Sequence, residues 1–233
     1  VFKSFEARDV YMHVVVAGAS GRTGRFVVEQ ALAAGHRVTA IVRDSGPYDR
    51  PPGVVVQRAE VVTDAELTLP ADADAVISTL GKRSNQDPAP VCAAGTANLV
   101  DAMRRHGVRR LVVTSAVPVL TSGAGEPWWF RHVVRPLVRR SAPRIYDDLE
   151  AMEQIVRGGG PSVDWTIVRP GYLIDTEATD YQLVPEANGS TSVCRADLAS
   201  ALVAAATDPS AIGRSYGLRR GRSPQRMTAR VAT

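Results

Sequence analysis

The sequence predicts an α/β protein built on a doubly wound parallel sheet. Three observations carry that expectation. An apolar run of strand length, Val14-Val15-Val16-Ala17, leads into glycines at 18, 21 and 24, and a helix-period pattern through Phe26, Val27 and Leu32 follows at once. Strand-like and helix-like patterns then alternate at intervals of roughly 20 to 35 residues, the rhythm of β-α-β units. Finally, 233 residues with a 45% hydrophobic share suffice for one sizeable core and do not demand two.

In chain order, residues 1–11 mix charge and aromatics without a period, Met12 stands directly before the first strand, and the extension is expected to be peripheral. The first strand is read over 13–17 and the first helix over 22–34, ended by Gly35. A strand over 37–42 is followed by a Pro- and Gly-rich loop, 44–53, and by a strand over 54–57. Ala65–Leu69 is a candidate short helix, and 75–79 a strand ended by Leu80-Gly81. A helix over 93–106 carries Ala97, Val100 and Met103 in its apolar stripe, and Gly107 closes it. The β-branched run 110–114 suits a buried parallel strand. Further on come a helix over 146–157, strands over 165–168, 192–194 and 215–218, and a helix over 195–207. The expected organisation is one domain over 12–218, including a small C-terminal substrate-binding portion, and a loose Arg-rich tail over 219–233.

Composition narrows the function classes. No run of eighteen apolar residues exists, so no integral membrane segment is expected, and no secretion signal is recognised. Cys92 and Cys194 are far apart and His13, His36, His106 and His132 are scattered, so no metal site is expected and a reducing cytoplasm is the expected setting. The net charge of +4 rests on arginine, since lysine occurs only at Lys3 and Lys82. No nucleic-acid reading motif accompanies that charge, so no nucleic-acid partner is expected.

The glycine turn points to a dinucleotide's diphosphate. Gly18 and Gly21 allow a sharp turn and close phosphate approach, Gly24 allows the helix to lie near the strand, and the helix N-terminus offers free N–H groups. Ligands of open α/β sheets lie beyond the carboxyl ends of the strands. The residues placed there are Gly18, Ser20, Gly21, Arg22, Thr23 and Gly24, then Arg43, Leu80 and Gly81, then Thr114 and Ser115, and lastly Pro170 and Gly171. An arginine after the second strand suits a 2′-phosphate, so Arg43 favours NADPH over NADH, although Asp44 adjoins it.

Ser115 is the first candidate for chemistry, because it ends the fifth strand and carries a hydroxyl able to donate to a substrate. Tyr146 is the second. A lysine one turn along would help it, but Glu150 holds that place, and a carboxylate disfavours the phenolate. A helical cap is expected around 120–145. In 127–140 Trp128, Trp129, Phe130, Val133, Val134, Leu137 and Val138 recur at helical spacing, with Arg131, Arg135 and Arg139 opposite and Pro136 as a bend. A flat substrate is expected against Val117, Trp128, Trp129, Phe130 and Tyr172; a packed cap without ligand, and a basic amphipathic helix on a membrane surface or partner, are the other readings of the segment.

Gly18–Gly24 with its flanks, Thr39–Asp44, Asp74–Gly81, Gly95–Val100, Thr114-Ser115-Ala116, Trp165–Gly171 and Arg195–Ala199 together resemble an atypical short-chain dehydrogenase/reductase of the NAD(P)H-binding, NmrA-like type. Within that group the chain resembles the biliverdin reductase B/flavin reductase branch. The resemblance implies a Rossmann core, NADPH held by the glycine loop and Arg43, Ser115 beside the nicotinamide, and planar polycyclic substrates. Tyr-x-x-x-Lys is missing, and Ala59-Glu60 and Gly171-Tyr172 depart from the branch pattern. The expected function is an NADPH-dependent reductase of a flat or carbonyl, quinone or flavin-like small molecule, as a monomer or homodimer. A redox-sensing regulator that binds the dinucleotide without catalysis is the alternative.

Overall fold

A computed structural model of the chain describes residues 11–44, 47–82, 84–120, 122 and 124–221. Most of the expected extension and tail, 1–10 and 222–233, lies outside the described residues; Tyr11 is exposed.

The elements run β1 (His13–Ala17), α1 (Arg22–Ala33), β2 (Arg37–Val42), β3 (Val54–Arg58), β4 (Ala75–Ser78), α2 (Val91–His106) and β5 (Arg110–Thr114). A π-helical stretch, Phe130–Val134, continues into α3 (Arg135–Ser141), then α4 (Pro143–Arg157), β6 (Asp164–Arg169), β7 (Tyr172–Ile174) and β8 (Tyr181–Pro185). The last elements among the described residues are β9 (Ser192–Cys194), α5 (Arg195–Thr207) and β10 (Arg214–Arg220).

The main sheet has the order β3-β2-β1-β4-β5-β6-β10-β8. It is parallel from β3 to β10, and β8 closes that edge antiparallel. This is a Rossmann-like doubly wound sheet, with β1 as the pivot between the two winding directions. Every residue of β1 is buried, because helices cover both faces. Val14 and Val16 face a core layer with Val27 and Val28 of α1 and Leu198 and Leu202 of α5. Val15 and Ala17 face the other layer, with Leu99 and Met103 of α2 and Met152 of α4. The period-2 alternation of the strand thus splits one apolar run between two cores.

Arg110 is buried at the start of β5 and donates to the carbonyls of Ala205 (2.6 Å) and Ala206 (3.3 Å) in the last turn of α5. It also reaches the Asp164 carbonyl and Thr166 Oγ1. Burial lowers its pKa to about 10.

Four expectations need correction. Ala65–Leu69 is not helical: it is a turn followed by irregular chain. Leu67 and Leu69 are nevertheless buried, and Pro70 disfavours the α region at Leu69. The helix expected from Tyr146 starts at Pro143, a residue suited to a first helical turn. Two strands, β7 and β8, arise where none was read. Finally, β10 extends through Arg219 and Arg220, expected as tail, because Gln182 and Tyr181 of β8 pair with them.

The cap is helical, as expected. No residue of Phe130–Ser141 is fully buried; Phe130, Val134 and Val138 are half-buried, and Arg135 and Arg139 turn toward the body. Arg135 donates to the Leu120 carbonyl at 2.7 Å and lies 3.4 Å from Glu126; Arg139 pairs with Glu150 at 2.6 Å. Trp128, Trp129, Val133 and Leu137 are exposed.

Candidate functional site

The site is built on the turn after β1, where the sheet changes winding direction. Gly18 has φ +80°, a left-handed conformation that disfavours any side chain. The Gly21 amide donates to the Gly18 carbonyl at 2.9 Å and closes the turn. Thr79, directly after β4, locks it from the side: its Oγ1 donates to the Ala17 carbonyl at 3.1 Å and reaches the Gly18 carbonyl at 3.2 Å. Gly24 is a packing requirement, since a Cβ there would lie 2.2 Å from the Gly18 carbonyl oxygen and 2.8 Å from Ala19 Cα. Only glycine lets α1 come this close to β1.

Gly21 is the N-cap of α1, in extended backbone, with no side-chain hydrogen bond at the cap and no acidic residue in the first turn. The amides of Arg22, Thr23 and Gly24 therefore open toward the carboxyl edge of the sheet. This cradle fits a diphosphate: a glycine turn, unblocked N–H groups and a positive helix end. Ser20 and Thr23 are half-buried within it. Arg22 is exposed, and its guanidinium pairs with Asp175, beyond β7. Arg195, at the start of α5, takes the other Asp175 oxygen at 2.5 Å. Arg195, and after it Arg22, hold that carboxyl below its ordinary range.

Arg43 lies immediately after β2 and is exposed, with Asp44 exposed beside it. The last residue of β3, Arg58, donates to the carbonyls of Arg43 (3.1 Å) and Asp44 (3.3 Å). A second guanidinium thus stands at this corner. Sequence reading missed it because the β2–β3 register, Val42 opposite Arg58, is what brings it there.

Leu80 and Gly81 follow β4. The Leu80 side chain rests on α2 at Gly95, where a Cβ would lie 2.6 Å from it. Asn98 of α2 holds the carbonyls of Val61 and Val62. Asp148 of α4 accepts from the amides of Cys92 (3.0 Å) and Ala93 (2.9 Å), so the α2 N-terminus is already satisfied. Burial, and next Asp148, push the Cys92 thiol up to about 12.

At the end of β5 the ladder continues past the strands. Ser115 N donates to the Val168 carbonyl at 2.8 Å and Val117 N to the Pro170 carbonyl at 3.0 Å. Thr114, Ser115, Val117, Pro170 and Gly171 are thereby brought side by side. Ser115 is buried, and its Oγ donates to Glu153 Oε1 at 2.6 Å. Glu153, buried on α4, also receives Nε (2.8 Å) and Nη2 (2.6 Å) of Arg169. Arg169 Nη1 continues to Ser215 Oγ at 2.9 Å, and Ser215 donates to Glu186 at 2.7 Å. Sequence reading named Ser115 but none of this chain of partners, which comes from α4, β6, β10 and the turn after β8. Thr114 Oγ1 is buried beside it without a hydrogen-bond partner, so this edge retains polar capacity for a ligand.

Tyr146 is half-buried and packs against the α2–α4 core layer. Burial raises its pKa, and Arg139 opposes the rise. Among the substrate-side candidates, Val117 is buried, Phe130 half-buried, and Tyr172, Trp128 and Trp129 exposed. Among the described residues, no cluster of three or more histidine, cysteine, aspartate or glutamate side chains could hold a metal, and no helix is long and apolar enough to cross a membrane.

Residues 18–209 match a protein family described as NAD(P)H-binding. An uncharacterised chloroplastic protein of Arabidopsis thaliana is 33% identical over 173 residues, 69% of this chain and 59% of that protein. A 3-diazoavenalumate denitrifying reductase of Streptomyces is 38% identical over 117 residues, 45% of this chain and 38% of that protein. The chain thus spans less than two thirds of either relative's length. Among solved structures, an oxidoreductase of Lactococcus lactis superposes with a TM-score of 0.73 at 19% identity, over 91% of this chain and 92% of that one, which is a likeness of fold.

Proposed function

The chain belongs to the NAD(P)H-binding family, and from that premise we propose that it is an NADPH-dependent reductase of a flat carbonyl, quinone or flavin-like acceptor, of the NmrA-like, flavin reductase type. The observation that carries the reading is the cradle itself: Gly24 packed beneath the Gly18 carbonyl, with the uncapped start of α1 opening over it. The bound dinucleotide supplies a hydride from its nicotinamide. Everything else is asked of the chain's own residues.

In this reading the amides of Arg22, Thr23 and Gly24 hold the diphosphate. Arg43, with Arg58 at the same corner, meets the 2′-phosphate, for which a planar guanidinium fork is suited. Leu80 and Gly81 border the ribose side, and Thr114, Pro170 and Gly171 border the nicotinamide. Ser115 acts as a fixed acceptor rather than an acid. Its one proton is committed to Glu153, so its lone pairs are what it presents to a ligand's N–H or O–H. Val117, Phe130 and Tyr172 contact the acceptor. Tyr146 is left to packing, because burial makes it a poorer acid than an ordinary tyrosine. The Streptomyces relative, named as a reductase, supports the reaction class.

Two measurements test the proposal. Calorimetry should detect NADPH binding, and loss of reduced-nicotinamide absorbance should follow addition of FMN, a quinone or a ketone. Binding without turnover on any acceptor rejects the reductase. It would favour the regulator instead, a reading supported by Glu150, paired to Arg139, in place of the lysine that would activate Tyr146.

A further inference from the structure

The cap helix half-buries one apolar row, Phe130, Val134 and Val138, and leaves a second in solvent. Trp128, His132, Pro136 and Arg140 are spaced by four, as are Trp129, Val133 and Leu137. The wide π-turn over Phe130–Val134 keeps such rows in line, since it has more residues per turn than an α-helix. All seven side chains are exposed. Trp128 is 72%, Trp129 57%, Val133 52% and Leu137 63% accessible, so four of the largest exposed apolar groups share one face. The side that meets the body carries Phe130, Val134 and Val138, each half-buried, beside Arg135 and Arg139, which are fixed by Glu126, Glu150 and backbone carbonyls. Arginine anchors therefore help hold the helix with Trp128, Trp129, Val133 and Leu137 outward.

That face is also cationic. Arg131, Arg140 and Arg144 are exposed around it, and no acidic residue occurs between Glu126 and Asp147. Beside the helix lies an open hollow of about 490 Å³, lined by Arg135, Arg139, Arg140 and Asp147. It has room for a phosphate group next to the apolar rows.

We propose that this face docks on an anionic phospholipid bilayer, with Trp128, Trp129, Val133 and Leu137 entering the headgroup–acyl boundary and the arginines meeting lipid phosphates. Tryptophan favours that boundary, where an apolar ring with one N–H donor finds both environments. A basic helix of this kind lies in the interface plane and does not span it. A second copy is a poor occupant. A two-fold contact sets the same patch against itself and would bring Arg131 and Arg140 of both copies together. The inference is independent of the reductase reading.

The test is co-sedimentation of the full chain with phosphatidylcholine vesicles, with and without phosphatidylglycerol, at low and high salt. Tryptophan emission is recorded alongside. Binding is expected only with phosphatidylglycerol, weakened by salt, with emission moving to shorter wavelength. Val133→Ser/Leu137→Ser and Arg131→Glu/Arg140→Glu should each lower partitioning by roughly tenfold or more. Melting temperature and NADPH affinity should stay unchanged in both variants. Equal binding to neutral and anionic vesicles, or binding to neither, overturns the proposal, as does binding that survives both variants. A dimer seen by light scattering and abolished by Val133→Ser/Leu137→Ser, without vesicle binding, also overturns it and makes the face a self-interface.

Discussion

Ser115 gives its hydroxyl proton to Glu153 across 2.6 Å, and Glu153 is in turn clasped by both Nε and Nη2 of Arg169. All three are buried, so the trio joins the end of β5 to α4 and β6 in a place without competing water. Removing one member has different consequences depending on which. Ser115→Ala leaves Glu153 satisfied by Arg169 and should cost about 1 kcal/mol of stability, the worth of one hydrogen bond. It should lower turnover about tenfold with little change in NADPH affinity. Glu153→Gln leaves the Arg169 charge buried without its counter-ion and should cost about 3–5 kcal/mol. Chemical denaturation of the two variants checks the contrast; equal costs would contradict it.

Gly24→Ala should be the most damaging small change in the cradle. Its methyl would have to displace backbone on both sides, since the nearest atoms are the Gly18 oxygen and Ala19 Cα. Overpacking of this kind costs about 1–3 kcal/mol. Because the same shift moves the α1 N-terminus, NADPH binding by calorimetry should fall together with the melting temperature. Gly35→Ala, with nothing within 4 Å of the added atom but φ +81°, should lower stability and leave affinity intact.

Arg43→Leu tests the cofactor preference. A charged hydrogen bond to phosphate is worth about 1.5–3 kcal/mol, so the ratio of NADPH to NADH affinity should drop by roughly 10- to 100-fold. NADH affinity itself should barely move. An equal loss for both dinucleotides would remove Arg43 from the 2′-phosphate.

Tyr146→Phe should change turnover less than about twofold. Burial, opposed by Arg139, raises the phenol above its ordinary value, so the group stays protonated at neutral pH and acts as a poor acid. A large loss of turnover in Tyr146→Phe would restore it as the proton donor.

His36 predicts an acid-side loss of stability. Burial lowers its pKa from the ordinary 6.5, and its Nδ1 has no hydrogen-bond partner. The unfolded chain then binds the proton more readily than the folded one. The contribution of neutral His36 is complete above about 6.5 and declines as pH falls from there toward the folded value. Melting temperature measured from pH 7 to pH 5 should decline less steeply in His36→Leu than in the parent chain.

What the sequence determined by itself is the part encoded locally. The run Val14–Ala17, the three glycines and the stripe of α1 are contiguous, so a strand, a turn and a helix follow from neighbours alone, and the family match begins at Gly18. The alternation of later elements likewise gave the doubly wound sheet. Position after a strand was enough to place Arg43, Ser115 and Gly171 at one edge.

Only the tertiary structure decided the rest, because the deciding partners are distant in the chain. Residues 181–185 carry no strong strand pattern and become β8 because β10 offers an open edge with unpaired backbone groups. Ser115 reads as a free hydroxyl until Glu153 and Arg169 are seen around it. The helical period at 127–140 separates arginines from aromatics, but which row faces inward depends on Glu126 and Glu150 waiting on the body of the fold. A period fixes what shares a face; only the neighbours fix which way that face turns.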